Sequence, residues 1–372
     1  MFEEEKLRAF GRLVVRLQQR EDLSREETRE AYRAIWRNEQ PELHQGAFIA
    51  ALKCKGETRD ELVGVAEAFG EEWAKFFPHK VSASQPHLGI CGVGMDSLKT
   101  VNISSGASVI VAACGVPVYK VSAPALTGIS GGADAFALWG VDIDVPGEQS
   151  VRSTEQCRLG ATSLVSQAMM NSGIARVVSQ IRIGTSFHIS GPMAIHAGEQ
   201  HKVMGVPHPS MTRLCAEVMK GLGYKTALVP CGGSREHPGR YLDELSNVGI
   251  SHVAELHEDG TITEYELTPS DLGLPETSYA EIASTQSRDE NARIVARALA
   301  GKGTKAVVDV LILNAAACLK VMGKVSSLMD GLRQARAAVE DGRAIAQLRS
   351  LIETQNRDPK AGLATLDALI GE

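Results

Sequence analysis

The feature that most constrains the fold is a regular alternation of short apolar runs and helical stretches that begins near residue 87. An apolar run at 87–91 leads into a glycine loop, and a helical stretch follows at 103–114. A second apolar run at 116–121 is followed by another helical stretch at 131–140. Parallel strands need long crossovers, which are usually helices, so this alternation indicates a parallel sheet. We therefore predict an α/β domain with a central, mostly parallel sheet flanked by helices.

The residues before this alternation predict a separate helical domain. Ser24 with Glu27, and Thr58 with Glu61, have the spacing of a helix capping box, and apolar residues at helical spacing follow each. Further strands are predicted at 225–230 and 252–256 with a hairpin at 261–267, followed by helices. The predicted division is a helical domain over 1–76, joined by helices from about 155–180, an α/β domain over 86–352, and a C-terminal tail over 353–372.

Composition argues against several classes of protein. The net charge is −6 and only 5% of residues are aromatic, so nucleic acid is not an expected partner. The seven cysteines include no Cys-x-x-Cys pair, which argues against a zinc site or a disulfide framework. The chain has no apolar run of signal-peptide or membrane-helix length. We expect no membrane association and a cytoplasmic location.

The glycine loop after the first strand is the strongest candidate for chemistry. Gly92 and Gly94 allow close approach of the backbone to an anion, and amides at a helix start favour phosphate. Asn102 or Ser104 could cap the following helix. Hydroxyl groups that could add donors or ligate Mg²⁺ belong to Thr100, Ser104 and Ser105. The same residues also fit an ordinary strand-to-helix turn, and no P-loop lysine follows, so spacing alone leaves both interpretations open.

A second candidate is the adjacent carboxylate pair Asp243 and Glu244. Two carboxylates with substrate phosphates are a common way to hold Mg²⁺. Acidic residues also stabilise an ordinary helix start. This pair alone therefore does not decide between a Mg²⁺ site and an ordinary helix start.

At these residues the chain resembles the anthranilate phosphoribosyltransferase-like family, and the resemblance covers roughly residues 5–350. The family loop has the pattern G-T-G-G-D-G-x-x-[TS]-x-N-[IV]-S-[TS]. The residues that match it are Gly92, Gly94, Asp96, Thr100, Asn102, Ser104 and Ser105. The family motif G-L-D-E corresponds to Tyr241 to Glu244, after a short insertion around 234–238. The resemblance implies a small helical domain, a large α/β domain and a homodimer.

The resemblance also implies a ligand. It assigns the glycine loop, together with Lys120 and Thr127, to the diphosphate of phosphoribosyl pyrophosphate (PRPP) or of another phosphorylated small molecule. It assigns the Mg²⁺ cofactor to Ser104, Asp243 and Glu244.

The chain departs from the family pattern on the acceptor side. The family segment K-H-G-N-R-x-x-S-S-x-x-G-S-A-D aligns with residues 120–134, but Val121 to Pro124 replace its His-Gly-Asn-Arg core. The aligned arginine that grips the anthranilate carboxylate is absent, although Arg176 and Arg182 lie nearby. His188 stands where the family has asparagine. We therefore predict an acceptor site with His188 and Arg182, and an acceptor other than anthranilate, because an unpaired buried charge is costly.

Within the loop itself, Val93, Met95 and Ser97 replace family residues, and a side chain as large as Met95 could occlude the anion. The expected activity is Mg²⁺-dependent transfer of phosphoribosyl from PRPP, and no residue is identified as a general base. The alternative is a catalytically inactive family member that binds a phosphate ligand or nucleic acid and acts in regulation.

Overall fold

The computed structural model describes residues 3–125, 128–165 and 167–371. The helices in chain order are α1 (Glu4–Gln18), α2 (Arg25–Trp36), α3 (Glu42–Lys55), α4 (Arg59–Phe76), α5 (Ile103–Ala113), α6 (Gly132–Leu138), α7 (Gly147–Cys157), α8 (Gln167–Met170), α9 (Gly173–Ile181), α10 (Ser186–Ser190), α11 (Thr212–Leu222), α12 (Arg288–Leu299), α13 (Lys305–Val321), α14 (Leu328–Glu340), α15 (Arg343–Gln355) and α16 (Pro359–Ile370). The strands are β1 (Leu88–Gly92), β2 (Val118–Ser122), β3 (Leu159–Ser163), β4 (His201–Gly205), β5 (Thr226–Gly233), β6 (Tyr241–Leu242), β7 (Ser251–Leu256) and β8 (Ile262–Leu267).

The first of two compact units is helical and is built from three pieces of chain. It contains the chain up to Pro78, together with Val165–His196 and Glu217–Gly223. Both predicted capping boxes form, at Ser24 and at Thr58. Phe187 of α10 packs its ring against Phe69 of α4 at 5.4 Å between centroids, which ties the second piece to the first. This unit confirms the predicted small helical domain.

The second unit is an α/β domain whose sheet has the order β3-β2-β1-β4-β5-β7-β8, with β6 paired to β5. The pairs from β3 through to β5 are parallel, and β6, β7 and β8 pair antiparallel. The predicted fold class, including the hairpin at β7 and β8, is confirmed. Strands β3 and β4 were not predicted.

One face of this sheet is buried by helices α5 and α13. Leu88, Ile90 and Val203 point from the strands into the same core as α13, whose residues are buried over most of its length. A side chain on Gly106 would collide with Leu311 and Val295, so glycine allows α5 to approach α13 and α12 closely. The close packing of these helices sets the position of the start of α5.

The boundaries of the units differ from the predicted ones at two places. Helix α7 belongs to the α/β unit. The second piece of the helical unit begins only at Val165, and its first helix is α8. The predicted tail also lies within the α/β unit, because α16 buries Leu366 and Ile370 in its core. The sequence signal for a break, Asp358 before Pro359, instead marks the cap of α16, where Asp358 accepts from the Ala361 amide. None of the described helices is both long enough and apolar enough to span a membrane.

We predict that Leu366→Ala destabilises the α/β unit by about 2–5 kcal/mol, because it opens a cavity in a packed core. Thr365→Ala, on the exposed face of the same helix, should change the free energy of unfolding by less than about 0.5 kcal/mol. Urea denaturation of the two variants measures both values. Equal stability of the two variants would show that residues 359–370 are a loosely attached tail.

Candidate phosphate and metal site

Strands β1, β2, β4 and β5 run parallel, so their carboxyl ends lie along the same edge of the sheet. The register pairs Gly92, the last residue of β1, with Gly205, the last residue of β4. Ligands of open α/β sheets bind beyond this edge. The glycine loop that follows Gly92 and leads into α5 therefore begins where a ligand site is expected.

Three glycines at the strand ends leave the space that Asp243 and Glu244 occupy. A Cβ atom on Gly92 would overlap the Asp243 carboxylate, and one on Gly205 would overlap the Asp243 main chain. A Cβ atom on Gly232 would lie 2.5 Å from the Glu244 carbonyl oxygen. The carboxylate pair is thus packed against the strand ends themselves, and any side chain at these positions would displace it.

The glycine loop is attached directly to this carboxylate pair. The Gly94 amide donates to Asp243 Oδ2 at 2.5 Å, and Gly94 has a φ of +82°, in the left-handed region that favours glycine. Asp96 forms an ion pair with Lys99 at 2.7 Å, and its side chain is only 7% exposed. The loop therefore places a third carboxylate close to the pair.

Burial of these carboxylates disfavours their charged forms. Burial, and secondarily the charge of Asp243, raises the pKa of Asp96 to about 7. Burial and the Asp243 charge also raise the pKa of Glu244 well above its usual value. Without a cation, Asp96 and Glu244 therefore hold their protons more strongly, and a bound cation would favour their charged forms.

Lys120 is the buried cation of the site. Its Nζ donates to the Ile90 carbonyl at 2.9 Å and to Ser104 Oγ at 3.4 Å. Burial lowers its pKa, and the charges of Glu244 and Asp243 oppose that shift. The side chain thus links the end of β2 to the start of α5, within electrostatic reach of both carboxylates.

The start of α5 differs from the sequence prediction in how it is capped. Asn102 is the capping residue by position, but its side chain does not cap the helix; it donates to the Ser130 carbonyl at 3.2 Å and accepts from the Ser130 hydroxyl at 3.1 Å. Ser104 does not cap it either, and its hydroxyl accepts from Lys120. Thr100 pairs through its main chain with Ala283. Asn102 therefore positions the loop that follows β2 and leaves the helix start without a side-chain cap.

Several buried oxygen atoms at this edge have no hydrogen-bond partner within the described part of the chain. They are Ser105 Oγ, Ser122 Oγ and Glu244 Oε2. Gly132 lies beside the two hydroxyls, and a Cβ atom there would come within 3.0 Å of Ser122 Oγ and 3.1 Å of Ser105 Oγ. Unsatisfied buried polar atoms are uncommon, and a ligand or ion at this edge would supply the missing partners.

The donor set fits Mg²⁺ bound together with a phosphate ligand. In the described residues, no three His, Cys, Asp or Glu side chains are arranged around one metal position. Mg²⁺ usually takes one or two protein carboxylates and completes its octahedron with phosphate oxygens and water. Asp243 and Glu244 would supply such a partial set, and Ser104, whose hydroxyl accepts from Lys120, offers a further oxygen at the start of α5.

The remaining predicted residues fall elsewhere. Thr127 lies outside the described residues. Arg182 and His188 lie in the helical unit. Arg182 is exposed at the C-terminal end of α9, with a φ of +49°, and its Nε donates to the Ser179 carbonyl of its own helix. His188 caps α10 by accepting from the Thr185 amide at 3.1 Å, and burial lowers its pKa.

Two features of the site were missed by the sequence analysis. Gly205 and Gly232 were not singled out, although each ends or nearly ends an apolar strand where a glycine signals close backbone approach. In the sequence, Ser122 stands out only as a departure from the family segment. In the structure its hydroxyl oxygen is buried and has no hydrogen-bond partner among the described residues.

Comparison with known proteins identifies the family. Residues 84–345 match the α/β domain of a glycosyl transferase family, and residues 12–71 match the helical bundle domain of that family. The chain is 34% identical to the anthranilate phosphoribosyltransferase of Rhodopseudomonas palustris over 349 residues, which is 93% of this chain and 98% of the relative. It is 33% identical to the Anaeromyxobacter dehalogenans enzyme over 342 residues, 91% of this chain and 96% of the relative. This chain belongs to the anthranilate phosphoribosyltransferase-like family.

Solved structures agree with this family. The anthranilate phosphoribosyltransferase of Thermus thermophilus superposes with a TM-score of 0.80 and 28% identity, covering 95% of this chain and 99% of the other. The Saccharomyces cerevisiae enzyme, solved in complex with PRPP and Mg, superposes with a TM-score of 0.79 over 95% of this chain and 98% of the other. At 20% identity, the yeast protein shows the shared fold alone. The chain is thus a glycosyltransferase-type family member of the phosphoribosyltransferase class.

We predict that Gly205→Ala unfolds or strongly destabilises the α/β unit, because the new methyl group would occupy the position of the Asp243 main chain. Gly46→Ala serves as the matched control, since nothing lies within 4 Å of that position in α3 and alanine favours a helix. Thermal denaturation should show a lowered Tm for the first variant and an unchanged or raised Tm for the second. An unchanged Tm for Gly205→Ala would contradict the packing described for the carboxylate pair.

We also predict that, without Mg²⁺, Asp96 contributes stability that is lost as the pH rises from about 4 to about 7. Over this range Asp96 loses its proton readily in the unfolded chain but retains it in the folded site, so rising pH favours unfolding at this group, whereas the buried His188, whose pKa is lowered, acts in the opposite direction. The stability of the wild type relative to Asp96→Asn should therefore fall over this range, and its stability relative to Asp289→Asn, on the exposed start of α12, should stay constant. Urea titrations at several pH values give both differences, and a difference from Asp96→Asn that does not change with pH would refute the assignment.

Proposed function

We propose that the protein is a Mg²⁺-dependent phosphoribosyltransferase that uses PRPP as donor and an acceptor other than anthranilate. The observation that carries the donor half is the Asp243–Glu244 pair, buried in space that strand-end glycines leave open. Burial raises the pKa of Glu244, and hydroxyls without partners lie at the same edge of the sheet, so a cation and an oxygen-rich ligand are favoured at this place. From the family resemblance we also propose a cytoplasmic homodimer.

The diphosphate of PRPP would bind along the glycine loop and the start of α5. Helix α5 begins without a side-chain cap; the Ile103 amide donates to the Val101 carbonyl at 2.7 Å, and an anion at this helix start would meet the amides of Ser104 and Ser105. Ser104 and Ser105, in its first turn, add hydroxyl donors, and Lys120 adds a positive charge beside Ser104. Ser105 Oγ is one of the atoms that lack a partner, so a phosphate oxygen would complete its hydrogen bonding.

The reaction is substitution at the anomeric carbon of the ribose. The bond from this carbon to the diphosphate oxygen breaks, and the electron pair leaves with diphosphate, while the acceptor forms the new bond and releases its proton to solvent. Mg²⁺, when bound, neutralises charge that develops on the leaving diphosphate. Asp243 and Glu244 hold the metal, Lys120 faces the same charge, and the loop amides orient the diphosphate.

The proposal for the acceptor rests on residues 121–124, which replace the His-Gly-Asn-Arg core of the family segment. Val121, Ala123 and Pro124 have no hydrogen-bonding side chains, and the Ala123 carbonyl already accepts from the Ala133 amide at 3.2 Å. Arg176, one of the two nearby arginines, forms an ion pair with Glu42 at 2.6 Å. An arginine already neutralised in this way is a poor partner for the carboxylate of anthranilate.

His188 and Arg182 remain the proposed acceptor residues. The Nδ1 atom of His188 is used to cap α10, which leaves Nε2 as the ring atom available to a substrate. Because burial lowers the pKa of His188, its ring is neutral at pH 7 and suits a neutral polar acceptor better than an anionic one.

Calorimetric titration with PRPP and Mg²⁺ tests the donor half of the proposal. We predict saturable binding to the wild type, and binding weakened about 100-fold or more in the Asp243→Asn, Glu244→Gln double variant, which keeps side-chain size but removes charge. The matched control is Asp289→Asn, Glu290→Gln, an adjacent acidic pair at the exposed start of α12, which should bind like the wild type. Failure of the wild type to bind would sink the donor assignment, and binding without any transfer would favour an inactive, regulatory family member.

A further inference from the structure

Two residues that depart from the family pattern contact each other in the structure. Ser97 replaces a glycine of the family loop, and Tyr241 follows the inserted segment and replaces the glycine of the family G-L-D-E motif. The Tyr241 amide donates to Ser97 Oγ at 2.8 Å, and Ser97 Oγ donates back to the Tyr241 carbonyl at 3.3 Å. The amides of Ser97 and Leu98 also donate to this carbonyl, each at 3.0 Å. The substituted loop is therefore attached to the end of the insertion by four hydrogen bonds.

The inserted segment forms the connection between the antiparallel strands β5 and β6, residues 234–240, which we call the hairpin loop. Arg240, its last residue, donates from Nη2 to the Ser97 carbonyl. The Arg235 amide, near its start, donates to the Val248 carbonyl at 2.9 Å, so the start of the hairpin loop is attached to the segment that connects β6 and β7. The hairpin loop thus connects this segment to the glycine loop.

A second contact holds the next residues of the glycine loop. The Tyr279 hydroxyl donates to the Lys99 carbonyl at 2.7 Å. The Tyr279 amide in turn donates to Glu236 Oε2 at 3.0 Å, and its ring packs edge-on against His237 at 5.2 Å between centroids. The hairpin loop therefore reaches the glycine loop directly through Arg240 and indirectly through Tyr279.

These contacts matter because a glycine-rich loop pays a conformational entropy cost when it closes on a ligand. A loop that is already held in its bound form binds more tightly for the same contacts. Here Met95 and Ser97 replace flexible glycine positions of the family loop, and Ser97 uses its side chain for attachment. The Ser97 substitution and the segment that ends at Tyr241 therefore form one set of interactions and are not independent losses.

We propose that the hairpin loop is a brace that holds residues 94–100 in the conformation that binds the donor diphosphate, with Ser97, Arg240 and Tyr279 as positioning residues. The inference rests on the donor assignment made above. It adds that donor affinity depends on three residues that need not touch the donor. It also explains how the loop can tolerate side chains where the family has glycine.

Hydrogen–deuterium exchange of the protein without ligand tests the brace by itself. We expect the amides of residues 97–101 to exchange about tenfold faster in Ser97→Ala, Arg240→Ala and Tyr279→Phe than in the wild type, as loss of one or two hydrogen bonds predicts. The matched controls are Tyr265→Phe, whose hydroxyl donates to Glu255 at 2.9 Å, and Arg213→Ala, whose guanidinium pairs with Glu264 at 2.9 Å. Exchange in α13 should be unchanged in every variant, which shows that the domain remains folded. Wild-type exchange at 97–101 in all three brace variants would overturn the proposal.

Donor affinity and kinetics give the second readout. The Ser97→Ala, Arg240→Ala double variant should bind PRPP with Mg²⁺ about tenfold or more weakly and raise the KM for PRPP, with kcat little changed, and Arg240→Lys should restore part of the affinity. Faster exchange with unchanged donor affinity would overturn the positioning role. If the wild type binds no PRPP, the donor assignment fails, and the exchange experiment still decides whether the brace exists.

Discussion

The burial of two adjacent carboxylates at the ends of the parallel strands is the constraint on which the rest of the α/β unit depends. Asp243 and Glu244 fit only because Gly92, Gly205 and Gly232 carry no side chains there. Burial raises the pKa of Glu244, so the fold alone disfavours the charged form of this carboxyl group. A domain that needed only stability would fill this space with apolar side chains. The cost of keeping carboxylates there is explained by a cation and a phosphate ligand.

The other polar groups at the edge follow from this placement. Lys120 crosses from the end of β2 to Ser104 and offsets part of the negative charge. Asn102 holds the loop after β2 through Ser130 and so leaves the start of α5 uncapped. The donor half of the site is thus a connected set of interactions, whereas Val121, Ala123 and Pro124 have no hydrogen-bonding side chains where the family segment has polar residues. A change of acceptor substrate would produce this pattern, in which the donor side is retained and the acceptor side is replaced.

The fold class and the two kinds of domain could be predicted from the sequence because they depend on local signals, namely capping boxes, apolar periodicity and strand–helix alternation. Strand β4 was missed because Lys202, a residue type rarely buried, lies in it and is only 4% exposed. The tail was misassigned because the burial of Leu366 depends on distant helices. In the site, the resemblance supplied the carboxylate pair and the loop, but the side-chain role of Asn102 and the space at Gly205 arise from contacts between segments far apart in sequence.

One calorimetric experiment tests the retained donor site and the altered acceptor specificity in the same sample. The protein is first saturated with PRPP and Mg²⁺, anthranilate is then injected, and the release of pyrophosphate is followed in parallel. We expect binding heat for the donor, none for anthranilate, and no anthranilate-dependent release of pyrophosphate. Turnover of anthranilate would contradict the altered acceptor site, and absence of donor heat would contradict the retained one.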